Sequence, residues 1–498
     1  MSKSLLLLLI FTFPIFLNAC KKDDLPKDAF IHIYDMSLNV DELKTIVLQT
    51  NLENTIGITF VSTSPGIVID GNQVYGVQAG TTNTVNVKYK SLETSFQVIV
   101  FDEEITVSGS LFDDVTIEPI SSLSSREDFI MGVDISSIVE VMNRGGKFYD
   151  AHGIRTSVYK LLVDNGVNYV RIRLWNDPLS PTGIPYGGGN NDLEVAKLIG
   201  HRAKLFGMKI LLNFHYSDFW ADPGKQIIPK DWANLTSASE IADALYHFTY
   251  DAMDEMEQYG AKVDMVQIGN EIAPGMMTQG TNDYETINTA TPNRYNLSQD
   301  ISGSTSNINN LIMYLNAGLE AARDQNPDVL TMIHIDRGGN NSFYRTFYDR
   351  LEQYHVEYDI IGMSYYVFYH GPIENFQHNI NDIASRYQKK VVVAEASYAF
   401  TAQPIANTAH ILTNSYYNYP LTPQGQTDVL RDTIEIIANV SDERGLGIFY
   451  WEPAWLPVAG AGWAGPASPG TWANQALFSY QGIALPSLAL FKSLIPND

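Results

Sequence analysis

The chain has 498 residues, of which 32 are Lys or Arg and 56 are Asp or Glu, so its formal net charge is −24. This charge repels phosphate backbones and argues against nucleic-acid binding, while a hydrophobic content of 45% argues against a disordered chain. A single cysteine excludes an internal disulfide and a Cys-based zinc site. Aromatic residues make up 11% of the chain, which suits a protein that meets sugars or other flat ligands.

The N-terminus resembles a bacterial export signal. Lys3 precedes an apolar run over 5–17 that is too short to span a membrane comfortably. LNAC at 17–20 resembles the lipobox of bacterial lipoproteins, although a plain secretory signal with a chance cysteine is the alternative. KKDD at 21–24 is similar to the surface-export signal of Bacteroidota lipoproteins. We therefore expect a signal peptide over 1–19, lipidation at Cys20, a tether over 20–27 and a location on the outer membrane at the cell surface.

The segment 28–105 predicts a small all-β domain. Runs rich in β-branched residues alternate with turn residues, and strands are expected at 31–34, 44–48, 57–60, 66–69, 84–87 and 96–100. This density of short strands favours an immunoglobulin-like β-sandwich. All seven tryptophans lie at or beyond Trp175, so a spacer is favoured over a carbohydrate-binding module. The acidic, Ser-rich stretch 106–127 is typical of a linker.

From 128 to 498 the pattern changes to alternating strands and helices, which predicts an α/β fold. Helices are expected at 193–206, 238–259 and 485–494. Eight such units favour a (β/α)₈ TIM barrel with long loops. The eight predicted strands are 129–134, 169–175, 209–214, 265–269, 330–335, 360–365, 390–394 and 447–451.

Two glutamates follow apolar runs directly at the ends of predicted barrel strands. Glu271 ends the fourth strand and Glu395 ends the seventh. In a TIM barrel these ends meet at one face, where active sites lie. A pair of converging carboxylates is the arrangement that glycoside hydrolysis requires. Either glutamate alone would be read as a solvated strand-end carboxylate, but the pair, with Asn270 before the first, favours catalysis.

The predicted barrel contains five ordered motifs: FIMGVDISS at 129–137, VRIRLWNDP at 170–178, NFHYSDFWADP at 213–223, QIGNE at 267–271 and WEPAW at 451–455. Together they resemble glycoside hydrolase family 53. The resemblance covers about residues 128 to 495 and implies a retaining endo-β-1,4-galactanase with acid and nucleophile on the fourth and seventh strands. The run after Glu395 departs from the family at Ala396, but Tyr398 is kept.

The resemblance also implies roles for individual residues. Glu271 matches the acid/base and Glu395 the nucleophile, with carboxyl groups about 5 to 5.5 Å apart. Asn270 is expected to bind the sugar 2-hydroxyl, and Arg173 to keep Glu395 ionised. Alternation puts Arg171 on the same face as Arg173, so the choice between them stays open. Other predicted substrate-site residues are Asp134, His215, Trp220, Tyr366 (or Tyr365, since either ends the sixth strand) and Trp451.

The aromatic residues of the last loops divide into sugar platforms and core. Trp451 is the best candidate to stack on the sugar at the cleavage point. Trp455 is a second candidate platform, whereas Trp463 and Trp472 are at least as well explained as core residues.

No cofactor is required by this chemistry. The glycines at 187–189 lack a following Gly-Lys-Ser/Thr, so a phosphate site is rejected. The resemblance implies a structural calcium ion in the last loops. The segment 401–410 lacks the acidic ligands that calcium prefers, so the sequence argues against a bound ion there. The expected partner is galactan, and a monomer is expected. Alternatives are a retaining enzyme of the same clan acting on mannan, xylan or β-glucan, and a non-catalytic surface glycan-binding protein.

Overall fold

A computed structural model provides the structure of the chain. It describes residues 25–26, 28–52, 54–102, 112–180, 183, 185–186, 191–280, 301–405, 408–463, 465, 468 and 470–496. The predicted signal peptide, the lipidation site Cys20 and the glycines at 187–189 lie outside the described residues. Among the helices within those ranges, none is both long and apolar enough to cross a membrane.

The described residues between 28 and 102 form an all-β module. Its strands are β1 (Ile31–His32), β2 (Met36–Asn39), β3 (Leu43–Thr45), β4 (Gln49–Thr50), β5 (Thr59–Val61), β6 (Ile67–Asp70), β7 (Gln73–Gly76), β8 (Thr81–Tyr89) and β9 (Leu92–Phe101). Alternate residues of the long β8–β9 hairpin point inward, and Val85, Val87 and Val98 lie in the module's own core. One sheet has the strand order β2-β9-β8-β5 and a second has the order β3-β7-β6, while β1 pairs with β4.

The module differs from the sequence prediction in its strand boundaries. The expected strand at 44–48 is shorter than predicted: β3 ends at Thr45, and β4, which pairs with β1 rather than with β7, begins only at Gln49. The expected strands at 84–87 and 96–100 are the centres of a longer hairpin whose turn includes Lys90 at a positive φ of 54°. Polar residues on the outer face of this hairpin interrupt the run of β-branched residues, so the sequence predicted strands that are too short.

The remainder of the chain contains a closed barrel of eight parallel strands, which confirms the predicted barrel. Each predicted strand is present, with ends that shift by at most two residues. The barrel strands are β10 (Ile130–Asp134), β11 (Tyr169–Leu174), β12 (Lys209–Phe214), β13 (Met265–Ile268), β16 (Leu330–Ile335), β17 (Ile360–Ser364), β18 (Lys390–Ala396) and β19 (Gly445–Trp451). A small hairpin, β14 (Gly275–Met276) with β15 (Gly303–Ser304), lies outside the barrel.

Helices surround the barrel. They are α1 (Ile138–Asn143), α2 (Val158–Asp164), α3 (Leu193–Leu205), α4 (Ala238–Gln258), α5 (Ile308–Gln325), α6 (Asn341–Gln353), α7 (Val367–His370), α8 (Ile373–Tyr387), α9 (Pro423–Ala438) and α10 (Leu490–Ser493). The helices predicted at 193–206 and 238–259 are confirmed. The one predicted at 485–494 is instead a 3₁₀ turn, Pro486–Ala489, followed by the single turn of α10.

Two apolar layers hold the barrel together. Inside it, side chains such as Leu211, Met265, Met332 and Phe449 form a packed plug. Outside it, strand residues pack against the helices in one continuous core. The plug closes the interior, so polar residues at the carboxyl ends of the strands face only the loops above them.

The β module is joined to the barrel through a buried arginine. Arg155 donates from Nη2 to Asp41 Oδ2 at 2.7 Å and lies 3.5 Å from Asp102. Tyr75 of the module packs edge-on against Phe206 with ring centroids 6.0 Å apart. Phe206 caps α3, and a barrel helix runs antiparallel to its strands, so this contact lies toward the end of the barrel opposite the strands' carboxyl ends.

Candidate active site

The carboxyl ends of the barrel strands surround one cleft of about 330 Å³. Its side chains come from loops after many strands, as the barrel topology requires. The cleft is lined by Arg171, Arg173, His215, Trp220, Ala221, Asp222, Pro223, Asn270, Glu271, Asp336, Tyr366, Tyr369, His370, Glu395, Ile411, Trp451, Trp463 and Trp472.

Glu395 lies at an irregularity in the seventh barrel strand. Met363 of β17 pairs with Val393, but the next residue, Ser364, pairs with Glu395, so β18 accommodates an extra residue. A bulge of this kind re-aims a side chain and is common beside active sites. Here it coincides with a carboxylate that lines the cleft while remaining only 7% exposed.

Two neighbours stabilise the ionised form of Glu395. Arg171 Nη2 lies 2.9 Å from Oε1, and the Tyr366 hydroxyl donates to Oε2 at 3.0 Å. Burial raises the pKa of the Glu395 carboxyl, and the positive charge of Arg171 and the hydroxyl of Tyr366 oppose that rise. Tyr365 instead donates to the Gly371 carbonyl, so Tyr366 is the tyrosine of the pair that faces the carboxylate.

The expectation that Arg173 keeps Glu395 ionised is wrong. Arg173 Nη1 lies 2.5 Å from Glu452 Oε1, and its guanidinium sits 4.2 Å from the ring centroid of Trp220. Although alternation puts both arginines on one face of β11, they reach different carboxylates because they are two residues apart along the strand. Arg173 still lines the cleft, where it supports the Trp220 ring.

Asp134 lies behind the cleft rather than in it. It is fully buried, forms an ion pair with Arg171 Nη1 at 2.8 Å, and accepts from the Ser136 hydroxyl at 2.5 Å. The predicted contact with substrate is therefore corrected, because Asp134 contributes by holding Arg171 against Glu395.

Glu271 lies beside negative charges, and within the described part of the chain no Lys, Arg or His forms an ion pair with it. Burial raises its pKa well above the usual value, and the negative charges of Glu395 and Asp336 raise it further. Its Oε1 accepts a hydrogen bond of 2.6 Å from the Ser364 hydroxyl, which partly opposes the rise. A carboxyl group in this setting retains its proton more readily than Glu395 does, as a general acid must.

A chain of hydrogen bonds leads from Glu271 into the barrel. Ser364 Oγ lies 2.9 Å from His334 Nε2, and His334 Nδ1 lies 3.0 Å from Gln267 Nε2 and 3.2 Å from Asn270 Oδ1. Burial and the charge of Arg171 lower the pKa of His334 well below its usual value, so the ring is neutral. When Glu271 is ionised, Ser364 donates to it and His334 must donate from Nε2 to Ser364, leaving Nδ1 to accept from Gln267.

Asn270 and His215 are held in fixed orientations at the cleft. Asn270 Oδ1 accepts from Arg171 at 2.8 Å, and its Nδ2 donates to the Ala221 carbonyl at 2.8 Å. His215 Nδ1 accepts from Trp175 Nε1 at 3.2 Å and from the Ala221 amide at 3.0 Å, so its proton is on Nε2. Burial and the two nearby arginines lower the pKa of His215 well below its usual value, which leaves a neutral donor at the cleft.

Four tryptophans form the apolar wall of the cleft. Trp220 stacks on Trp463 with centroids 4.5 Å apart, and Trp451 meets Trp472 edge-on at 4.5 Å. Trp463 and Trp472, which sequence alone did not separate from core residues, therefore line the site. Trp455 is a core residue: it is 2% exposed and donates from Nε1 to the Ala461 carbonyl at 2.7 Å.

Sequence reasoning did not single out Asp336, which lines the cleft on the side of Glu271. It follows the fifth barrel strand directly, so the strand-end rule that identified Glu271 would have found it too. Among the described residues, Asp336 Oδ1 and Trp472 Nε1 are buried without a hydrogen-bond partner, although Asp336 Oδ2 accepts from Arg337 at 3.2 Å. A sugar hydroxyl would satisfy each of these two atoms.

No metal cluster accompanies these carboxylates in the described residues: no three His, Cys, Asp or Glu side chains come together as a metal site would require. The segment 401–410, considered for calcium, has two residues outside the described part of the chain. The described part of this segment presents no acidic side chain, so it does not fit a hard cation.

Comparison with known proteins assigns the chain to a family. The model of Glycosyl hydrolase family 53 matches residues 130–491. The chain belongs to glycosyl hydrolase family 53. An "Endo-beta-1,4-galactanase" of Bacillus subtilis is 36% identical over 78% of this chain and 91% of that protein. An "Arabinogalactan endo-beta-1,4-galactanase" of Humicola insolens is 30% identical over 73% of this chain and 98% of that protein.

A solved structure supports the same assignment. The family 53 catalytic domain of Ignisphaera aggregans has a TM-score of 0.69 and 38% sequence identity, over 77% of this chain and all of that domain. The matched family residues begin at 130 and so exclude the β module. This family 53 protein is therefore a glycoside hydrolase whose catalytic barrel carries an additional N-terminal module.

Proposed function

We propose that the enzyme hydrolyses internal bonds of β-1,4-linked galactan with net retention of configuration, using Glu271 as acid/base and Glu395 as nucleophile. The observation that carries this proposal is the contrast between the two carboxylates of the cleft. Glu395 is paired with a cation, whereas Glu271 is partly buried beside negative charges. The substrate is inferred from the names of the relatives, which are endo-β-1,4-galactanases.

In the first step Glu271 donates its proton to the glycosidic oxygen as the bond from that oxygen to C1 breaks. A carboxylate oxygen of Glu395 attacks C1 from the opposite face, and a glycosyl ester forms. The leaving part of the chain departs as an alcohol. His215, Asn270 and the tryptophan wall are assigned to binding the sugar at the cleavage point, since all of them line the cleft.

In the second step Glu271 acts as a base. Ester formation removes the charge of Glu395, which is one of the causes of the raised pKa of Glu271. Glu271 is therefore readily ionised at this stage and accepts a proton from a water molecule. The water oxygen attacks C1, the ester bond breaks, and Glu395 is released as a carboxylate. Two inversions give net retention, for which carboxyl groups about 5 to 5.5 Å apart are expected.

A panel digest tests both substrate and roles. Purified enzyme is incubated with galactan, mannan, xylan and β-glucan, and the reducing ends and product sizes are measured. We expect release from galactan, with mixed oligosaccharides appearing early, and a loss of at least about 10³-fold in Glu395→Gln. Glu352→Gln, a change at an exposed glutamate, is the matched control. Faster cleavage of mannan, xylan or β-glucan than of galactan would show that the enzyme acts on one of these related polymers instead.

Other outcomes decide between catalysis and capture. Release by wild type that Glu395→Gln does not reduce would reject Glu395 as nucleophile. Binding of galactan without any release would favour a non-catalytic surface glycan-binding protein. Proton NMR of the first product distinguishes retention from inversion. With an aryl galactoside whose leaving group needs no protonation, azide should restore turnover in Glu271→Ala and give a glycosyl azide of retained configuration.

We also propose that the chain is a lipid-anchored outer-membrane protein, with Cys20 as the lipidated residue and the β module as an immunoglobulin-like spacer. The apolar run before Cys20 and the absence of any other cysteine support the anchor; the packing of two sheets supports the module's fold. Labelled palmitate should be incorporated into wild type but not into Cys20→Ser. We further propose that the enzyme is a monomer, which light scattering would test.

A further inference from the structure

An exposed aromatic surface continues outward from the cleft. It consists of Phe368 and Tyr369 on α7 with Tyr416 and Tyr417 in the loop after β18, and we refer to these four residues as the tyrosine platform. Tyr369, Tyr416 and Tyr417 are 58%, 36% and 50% exposed. Single exposed tyrosines are ordinary on a protein surface, but exposed aromatic rings that lie next to one another form a patch, and such patches mark binding sites.

The platform is continuous with the catalytic site. Tyr366, which donates to Glu395, has its ring centroid 6.1 Å from that of Tyr369, and Tyr369 itself lines the cleft. The ring centroid of Phe368 lies 4.5 Å from that of Tyr369 and 6.2 Å from that of Tyr416. Tyr416 lies 6.5 Å from Tyr417 at the outer end. A polymer leaving the cleft in this direction would meet one aromatic ring after another.

The outer end of the platform is built on a strained and anchored turn. Tyr417 and Asn418 both have positive φ, 47° and 67°, and Tyr416 pairs with Tyr419 across the turn. A tyrosine in the left-handed region costs free energy that glycine or asparagine would avoid. Strain of this kind persists where the surroundings over-determine the conformation.

The anchor is the buried side chain of Tyr398, three residues after Glu395. Its hydroxyl donates to the Tyr419 carbonyl at 2.7 Å and accepts from the Tyr416 amide at 3.1 Å. The Tyr419 hydroxyl in turn donates to Asp432 at 2.8 Å. Because the turn is fixed at both ends, the rings of Tyr416 and Tyr417 are presented on a preorganised support, which lowers the entropy cost of binding.

We propose that the tyrosine platform binds sugar rings of the polymer beyond those held at the cleavage point, and so makes the enzyme prefer long chains. The inference rests on the proposed function, because the occupant is the galactan chain. Pyranose rings present apolar C–H faces that stack on aromatic side chains. The four rings carry no formal charge, which matches an uncharged galactan.

The test compares long and short substrates. Tyr417→Asn removes the ring while keeping a residue that tolerates positive φ, Tyr417→Phe keeps the ring, and Tyr416→Ala removes the neighbouring ring. Tyr354→Ala, at a tyrosine 37% exposed beyond the end of α6, is the matched control. kcat/KM is measured on polymeric galactan and on galactotriose, of which at most two rings extend past the cleavage point.

We expect Tyr417→Asn and Tyr416→Ala each to lower kcat/KM on the polymer about three- to tenfold, mainly through KM, with the short substrate unaffected. Tyr417→Phe and the control should match wild type. Equal losses on long and short substrates, or no loss on the polymer, would overturn the proposal. If wild type cuts galactan and the variants keep the same length preference, the platform proposal alone is rejected. If wild type releases nothing from galactan, the proposed function itself is rejected.

Discussion

Two glutamates in one cleft differ because of what surrounds each of them. Glu395 contacts a guanidinium and a phenol hydroxyl, whereas Glu271 accepts a hydrogen bond from the Ser364 hydroxyl and lies beside negative charges. In a medium of low dielectric these neighbours decide which carboxyl group retains a proton. The contrast between acid and nucleophile is therefore a property of the contacts and not of the residue type.

Ser364 tunes the acid/base in this arrangement. Its hydrogen bond stabilises ionised Glu271, so Ser364→Ala should raise the pKa of Glu271 further. The first step requires Glu271 protonated, so the basic limb of the kcat/KM profile should move to higher pH, by about one unit for a hydrogen bond to a charged group. The pH profile on a soluble oligosaccharide measures this shift.

Ser397→Ala is the control for Ser364→Ala. Ser397 is equally buried, but its hydroxyl donates to Gln475 Oε1 at 2.7 Å instead of to a catalytic carboxylate. Its basic limb should stay with that of wild type. If Ser364→Ala leaves the limb in place or moves it to lower pH, Ser364 does not stabilise the ionised acid/base.

At the scale of the element, the end of the fourth barrel strand aims the acid/base. β13 stops at Ile268, and the chain then turns through Gly269 at φ 76° and Glu271 at φ 48°. A Cβ at Gly269 would lie 2.5 Å from Ile272 Cγ2, so only glycine fits here. The turn therefore requires glycine at 269 for two reasons: the positive φ and the lack of room for a Cβ atom.

Gly269→Ala should therefore cost activity as well as stability. We expect a free energy of unfolding lowered by more than about 1 kcal/mol and kcat reduced by about tenfold or more, because the carboxyl group of Glu271 is displaced. Gly207→Ala separates strain from crowding, since Gly207 has a similar φ of 78° but nothing within 4 Å of its Cβ position. That variant should lose about 1 kcal/mol and keep its activity; equal kcat in both variants would contradict the role of Gly269.

The whole molecule consists of a catalytic barrel braced by the β module. None of the residues that line the cleft belongs to the module. The joint is made by Arg155, which also donates to the carbonyls of Phe148 and Thr156 at 3.1 and 3.0 Å. The module should therefore affect the stability of the enzyme without touching its chemistry.

Replacing Arg155 tests the joint. Arg155→Met leaves Asp41 and Asp102 without this cation, and breaking a buried pair typically costs about 3–5 kcal/mol. Arg386→Met breaks an exposed pair with Asp349 and should cost no more than about 1 kcal/mol. Urea unfolding measures both, and activity at 25 °C should be unchanged. A cost for Arg155→Met no larger than that for Arg386→Met would show that Arg155 stabilises the enzyme no more than an exposed ion pair does.

Local patterns were sufficient for much of this description. Apolar runs of β-branched residues predicted the eight barrel strands to within two residues at either end. Their polar final residues predicted Glu271 and Glu395 in the cleft, with Asn270 before the first, because parallel strands in a closed barrel end at one face. His215, Trp220 and Trp451 were added by the family resemblance and by the need for sugar platforms. The prediction made both strands of the β8–β9 hairpin too short, because exposed polar residues weaken the periodic signal there, and it did not include β2 or β7. It also placed a helix at 485–494, where the chain forms a 3₁₀ turn and a single helical turn.

The amino-acid sequence by itself determined the barrel, the pair of strand-end glutamates and the family, since these depend on periodicity and on motifs read along the chain. Only the tertiary structure decided that Arg171 and not Arg173 pairs with Glu395, that Asp134 lies behind the cleft, and that Trp463 and Trp472 line it. The physical reason is that each depends on distances between atoms far apart in the chain. A shift of two residues along one strand selects a different carboxylate, and no local pattern records that distance.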